Sequence, residues 1–253
     1  MTPRRSLVLS LLLASAPLHA APKKPVPAGV EGEAANSLAH AMERAVNLDA
    51  WQKTGAVKWT FAGHAQHLWD LRRMLDRVRI DDAEILVDLG TQKGKAWKKG
   101  VEVTGAEADE LVKKGYASWA NDSFWLNPIA KLFDAGVTRS LVKTEDGAQA
   151  LLVHYASGGV TPGDSYLWMA GPDGKPKAVR MWVSVFPEGG MEVTWTGWTP
   201  LGTGAVVATT HAMGARSIPV SDVAGAATLS ELEPGKDPFA PISTGSTGAT
   251  TGK

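Results

Sequence analysis

From Glu33 the apolar residues recur every three to four positions. Ala35, Leu38, Ala39, Met42 and Val46 share one stripe, with Glu43 and Arg44 off it. That period is helical and predicts one amphipathic helix over residues 33–51. At Thr54-Gly55 the period changes to two: Val57, Trp59 and Phe61 face one way, Lys58 and Thr60 the other, and a first strand begins.

Turn chemistry then repeats down the chain. "GHAQH", "LGTQKG", "TEDGA", "GPDGKP", "PEGGM" and "LGTG" separate runs of strand composition such as "HLWDLRRMLDRVRI", "EILVDL", "KAWKKGVEV", "AQALLVHY", "AVRMWVSVF" and "AVVATTHAM". Connections this short join antiparallel neighbours, because a parallel crossover needs about a dozen residues or more. "GHAQH" reads as the turn of the first hairpin, with Trp59 and Trp69 in its two strands.

A helical insertion interrupts the strands. Thr104 and Glu107 have capping-box spacing, and helical character continues through "ADELVKKGYASWANDSFWLNPIAKLFDAG", broken at Asn127-Pro128 because a residue before proline avoids the α region. The insertion carries Tyr116, Trp119, Phe124, Trp125 and Phe133. A segment this aromatic needs an apolar surface to cover, and the concave face of a curved sheet supplies one. The expected fold class is α+β, mainly β: a curved antiparallel sheet with helical segments on its concave side.

Composition narrows the setting. The first twenty residues read as a signal peptide, with Arg4 and Arg5 in a basic start, an apolar run from Leu7 to Leu13 too short to span a membrane, and Ala20 at the cleavage point. Its removal leaves 24 basic against 26 acidic residues, a charge of −2. A near-neutral chain has no electrostatic reason to hold nucleic acid. With no cysteine there is neither a lipidated residue nor a disulfide. These features predict a periplasmic or secreted protein with no transmembrane segment in the mature chain. Residues 21–32 form a Pro-rich leader expected to be extended and solvated, 33–232 one domain, and 233–253 a Pro/Gly/Ser/Thr-rich tail expected to be disordered.

This element order, behind a signal peptide, resembles the LolA-like superfamily of periplasmic lipoprotein carriers and outer-membrane lipoprotein-sorting proteins. The local resemblance is sharper to an uncharacterised branch of that group in "NDSFWLNPIAKLFD" (residues 121–134) and "GGVTPGDSYLWMAGPDGKPKAVRMW" (residues 158–182). The resemblance implies a half-open β-barrel over about residues 33–232, with helices filling the concave side and a lipid or lipoprotein as partner.

Two sets of residues are candidates for chemistry. His64, His67 and Asp70, with His154 and His211 as further ligands if the fold gathers them, suit a hydrolase or a metal-dependent enzyme. Neither HExxH nor Gly-x-Ser-x-Gly supports that alternative, and i,i+3 histidines on a strand point to opposite faces. The ten tryptophans are the stronger signal. In "AVRMWVSVF" both faces carry bulk, and a sheet apolar on both faces is covered on both or encloses something apolar. Trp59, Trp69, Tyr116, Trp125, Trp168, Trp182 and Trp195 are therefore expected to line an aromatic cavity for a hydrophobic small molecule, an acyl chain or a lipid-modified partner, with no cofactor. A non-catalytic envelope scaffold with a solid core is the remaining alternative.

Overall fold

A computed structural model describes residues 24–157, 162–186 and 188–243; the segment expected to be a signal peptide, with its expected cleavage point, and tail residues 244–253 lie outside the described residues. The chain runs β1 (Val30–Glu31), α1 (Glu33–Ala45), α2 (Leu48–Lys53), then a meander of β2 (Ala56–Phe61), β3 (Ala65–Asp70), β4 (Leu75–Ile80), β5 (Ala83–Asp88), β6 (Lys93–Lys98) and β7 (Val101–Val103). Helix α3 (Ala106–Leu126) and a 3-10 turn (Pro128–Lys131) follow. The second half comprises β8 (Val137–Lys143), β9 (Gln149–Tyr155), β10 (Ser165–Ala170), β11 (Pro176–Trp182), β12 (Met191–Thr196), β13 (Thr199–Pro200), β14 (Val206–Val207), β15 (Thr210–Met213), β16 (Arg216–Ala226) and α4 (Leu229–Leu232).

The fold is α+β and mainly β. One antiparallel sheet has the order β1-β8-β9-β10-β11-β12-β15-β16-β2-β3-β4-β5-β6-β7, with β13 and β14 paired apart from it, and it is not closed into a barrel. The 11-residue β16 joins the halves, pairing with β15 through one end and β2 through the other. Both edge strands are very short, which limits the ladder either offers to another chain.

Alternation sorts the side chains. Val57, Trp59 and Phe61 of β2, Val78 and Ile80 of β4, Ile85 and Val87 of β5, Trp168 of β10 and Trp195 of β12 share the inner face with Ala35, Ala39 and Met42 of α1 and Val112, Trp125 and Leu126 of α3, in one core. The opposite parity builds two outer clusters. Leu68, Leu75 and Leu86 lie in one, and Val142, Leu152 and Leu167 in the other. Gly115 brings α3 close to the sheet: a Cβ there would lie 2.8 Å from Ile85 Cγ2 and 3.0 Å from Val87 Cγ2.

Several boundaries differ from the sequence expectation. The single helix over 33–51 is two, because Asn47 takes the left-handed conformation (φ 56°) between α1 and α2, which asparagine adopts more readily than most residues. "HLWDLRRMLDRVRI" is two strands joined by residues 71–74. No glycine or proline marks that turn; the Asp70 carboxylate makes it by accepting the backbone N–H groups of Arg72 and Arg73, both at 3.0 Å. "KAWKKGVEV" likewise folds back at Lys99-Gly100, both at positive φ, in a two-residue hairpin loop. Gly105, not Thr104, sits at the N-cap of α3.

The two flanks are also tied down. The leader supplies β1, which pairs with Ser140 and Leu141, and Lys24 exchanges hydrogen bonds with Glu188 and Trp182. The tail expected to be disordered after Leu232 is packed through residue 243: Phe239 is fully buried on the outer cluster beneath the Arg73 guanidinium, and Arg73 grips Asp237 with two bonds of 2.6 and 3.0 Å. One aromatic and one bidentate ion pair fix a segment whose overall composition is that of a linker. No helix among the described residues is long and apolar enough to cross a membrane.

Candidate functional site

The inner face between α3 and the sheet is aromatic along its length. Trp59, Trp69, Tyr116, Trp125, Trp168 and Trp195 all belong to this core, with Trp69 and Tyr116 half-buried and the other four buried. Trp182 does not join them. It has the parity of the outer face, packs against the second outer cluster, and its Nε1 donates to the Lys24 carbonyl at 2.9 Å.

Two ring groups make up the inner face. Trp59, Trp69 and Trp119 pack edge to face, with Tyr116 beside Trp119. Further toward the C-terminal end of α3, Trp125 stacks on Trp195 with centroids 5.5 Å apart and lies 5.4 Å from His211, while Phe124 meets Tyr166, Trp168 and Trp195. The helix thus lies against β4, β5 and β6 and reaches the second half of the sheet with large rings. This packing leaves polar atoms stranded. The indole nitrogens of Trp59, Trp69, Trp119, Trp168 and Trp195 and Nδ2 of Asn127 are buried without a partner. Each such donor costs ~1–3 kcal/mol, so aromatic burial here carries a polar penalty that aliphatic side chains would avoid.

His211 sits inside the second group, fully buried. Burial pushes its pKa down to about 4. The Trp125 backbone slightly favours the charged ring, yet neither ring nitrogen makes a hydrogen bond of ordinary geometry. It is a neutral imidazole among indoles.

A buried polar cluster that the sequence reading missed ties α3 to the sheet. His67 Nδ1 bonds Asp76 Oδ2 of β4 and His67 Nε2 bonds Asp122 Oδ2 of α3, both at 2.9 Å, while the ring stacks on Trp59 at 4.4 Å. A neutral imidazole can donate through only one nitrogen, so carboxylates on both sides call for the imidazolium. Burial alone would lower the His67 pKa, but the Asp76 charge and the bonds to both carboxylates outweigh it and raise it to about 9. Burial pushes the Asp76 carboxyl upward against the pull of His67. Ser118 and Asn121 complete the hydrogen bonding of Asp122, whereas Asp76 Oδ1 has no partner. The signal was positional. His67 shares its parity with Ala65 and Trp69, Asp76 shares that of Val78 and Ile80, and Asp122 falls on the helical stripe of Val112, Gly115 and Trp119.

The chain matches no protein-family model and no curated protein.

The enzyme alternative loses its geometry. His64 is exposed in the hairpin turn of residues 62–64 near the Ala62 carbonyl. His67 is not in that turn but within β3 facing the core, and Asp70 faces outward, bonded to Arg73. Residues three apart on a strand point to opposite faces, so this trio cannot converge. His154 bonds Ser165 and His211 lies in the aromatic core. Among the described residues no group of three or more His, Asp or Glu side chains is placed to hold a metal ion. On the outer face a cleft of about 270 Å³ is bordered by Lys58, Thr60, Gln66, Arg77, Arg79 and Asp222. Arg77 pairs with Glu233 and Arg79 with Glu84, while Asp222 accepts from the Thr60 hydroxyl.

Proposed function

We propose that this is an exported protein of the periplasm or the extracellular space, LolA-like in design, that binds a hydrophobic ligand on the inner face of its sheet. The ligand is an acyl chain, a lipid or a lipid-modified partner. Binding moves the aromatic end of α3 aside and substitutes apolar ligand surface for Phe124 and Trp125. The observation that carries this reading is that α3 spans to the second half of the sheet through Phe124 and Trp125, which lie on Trp168, Trp195 and His211 with unpaired polar atoms between them. An aromatic-lined site with a few polar atoms is the usual character of a small-molecule pocket.

The scaffold alternative has its own support: Leu126, Ile129 and Leu132 are buried to within 1% of their surface, so the inner face is filled in this conformation. Native mass spectrometry of protein purified without detergent, alongside titration with an environment-sensitive apolar dye, separates the two. Ligand binding predicts a co-purifying lipid mass or saturable dye binding in the folded protein. Absence of both leaves the scaffold.

A further inference from the structure

The cleft on the outer face is assembled from distant parts of the chain. Lys58 and Thr60 come from β2, Leu68 from β3, Arg77 from β4, Asp222 from β16, and Glu233 from the residue that ends α4. In the sheet register Lys58 and Arg77 stand on either side of Leu68, so their backbones are about 10 Å apart and both long side chains border the same space. Asp222 enters by a different device. The pairing of β16 with β2 shifts register between Ser221 and Ala224, and within that shift Asp222 has φ 54°. Bulges re-aim side chains, and left-handed backbone away from glycine is concentrated at functional positions. Here the carboxylate is turned onto the Thr60 hydroxyl, which donates to Oδ2 at 2.7 Å, and Ser221 Oγ donates to the same oxygen at 3.1 Å.

The charges of the cleft do not cancel in pairs. Arg77 takes Glu233 and Arg79 takes Glu84, whereas Lys58 makes no ion pair among the described residues and Asp222 accepts only from hydroxyls. One cation and one anion are left over. Arg77 also has donors in reserve: its side chain is 12% exposed, and of its guanidinium only Nη1 is bonded among the described residues.

We propose that this cleft binds a small zwitterion of the α-amino acid class, its carboxylate on the Lys58 ammonium and the free N–H groups of Arg77, its ammonium on Asp222. A simple anion would meet Lys58 but lie beside the carboxylates of Asp222 and Glu233, and a simple cation would meet Asp222 but lie beside Lys58 and Arg77. Only a ligand with both charges suits both walls. The cleft is on the face opposite the aromatic core, so the proposal stands or falls separately from binding of a hydrophobic ligand there.

Nuclear magnetic resonance titration of the folded protein with glycine, acetate and methylammonium at constant ionic strength tests it. Glycine should give saturable shifts at the amides of Lys58, Arg77 and Asp222 and bind about tenfold more tightly than either single-charge probe, the worth of one further hydrogen bond to a charged group. Lys58→Gln should weaken glycine about tenfold without weakening methylammonium. Asp222→Asn, which keeps a residue suited to left-handed backbone, should weaken glycine about as much without weakening acetate. Should one variant fail to fold, the other carries the test. Glycine that binds no better than acetate overturns the zwitterion assignment, as do variants in which all three probes weaken together. No saturable shift with glycine overturns the site itself.

Discussion

His67 of β3 and Asp122 of α3 meet at 2.9 Å across the sheet-to-helix interface, with side chains 0% and 5% exposed. Removing one partner of a buried ion pair leaves the other charge stranded, at ~3–5 kcal/mol. Asp122→Ala should cost that much, and it should speed hydrogen exchange in α3 more than in β9 and β10. Asp122→Asn keeps an acceptor for His67 and should cost less. Equal exchange rates throughout α3 in Asp122→Ala and wild type would remove the tie from any account of the helix's position.

The two buried histidines predict a stability maximum near pH 6.5. The folded pKa of His67 is raised, to about 9, so its contribution is full below the unfolded value of ~6.5 and is lost as pH rises through 9. His211 is depressed, to about 4, so its contribution is full above ~6.5 and is lost as pH falls toward 4. Each proton contributes about 1.4 kcal/mol per pH unit, ~3 kcal/mol over either window. Burial raises the Asp76 pKa, and that contribution runs against the acid limb. The limbs are therefore best read as differences in urea-unfolding free energy between wild type and variant: His67→Gln should flatten the alkaline side and His211→Phe the acid side. A pH-independent difference in either variant would contradict the assigned protonation state.

Hydrophobic period made most of this architecture legible. The inner face of β2, the stripe of α1 and the aromatic insertion follow directly from where Val57, Ala35 and Trp125 fall in the pattern. What stayed hidden was polar chemistry in apolar positions. Asp76 stands among Arg73, Arg77 and Arg79 in the sequence, yet its parity with Val78 and Ile80 places it inside. Turns made by a carboxylate, as Asp70 makes one for residues 71–74, carry no glycine or proline to announce them. Trp182 shows the converse: its aromatic character suggests the core, while its parity places it against the outer cluster. Long-range anchors such as Arg73 to Asp237 join residues 164 apart and leave no trace in local composition.

The C-terminal segment should be structural. Phe239→Ala removes a fully buried ring from the outer cluster of Leu68, Leu75 and Leu86. The full cost of a Phe→Ala change in a core is ~3–5 kcal/mol; a peripheral strap can partly collapse, so the lower end is expected. Thermal melts should show the same direction for Arg73→Ala, through loss of the grip on Asp237. A melting temperature unaffected by Phe239→Ala would mean the segment does not hold the sheet.

Trp125 decides between a movable lid and a fixed core. It is 8% exposed and touches Phe61, Phe124, Trp195 and His211. In a core that cannot rearrange, truncating it should cost ~3–5 kcal/mol, since transfer energy and a cavity term are both lost. A ring that already moves aside for a ligand should cost less, because the wild type pays to displace it at every binding event and the variant does not. Dye affinity should rise accordingly, as it does when the binding-competent fraction of a protein grows. Trp125→Ala is thus expected to fold, melt somewhat lower and bind an apolar dye more tightly, while Trp198→Ala, beside β13 and outside the ring group, should leave dye affinity unchanged. A fluorescence titration run with melting curves for both variants reads these outcomes together. If Trp125→Ala unfolds outright and the wild type takes up no dye, the ring is core, the inner face is permanently filled, and the protein is a scaffold.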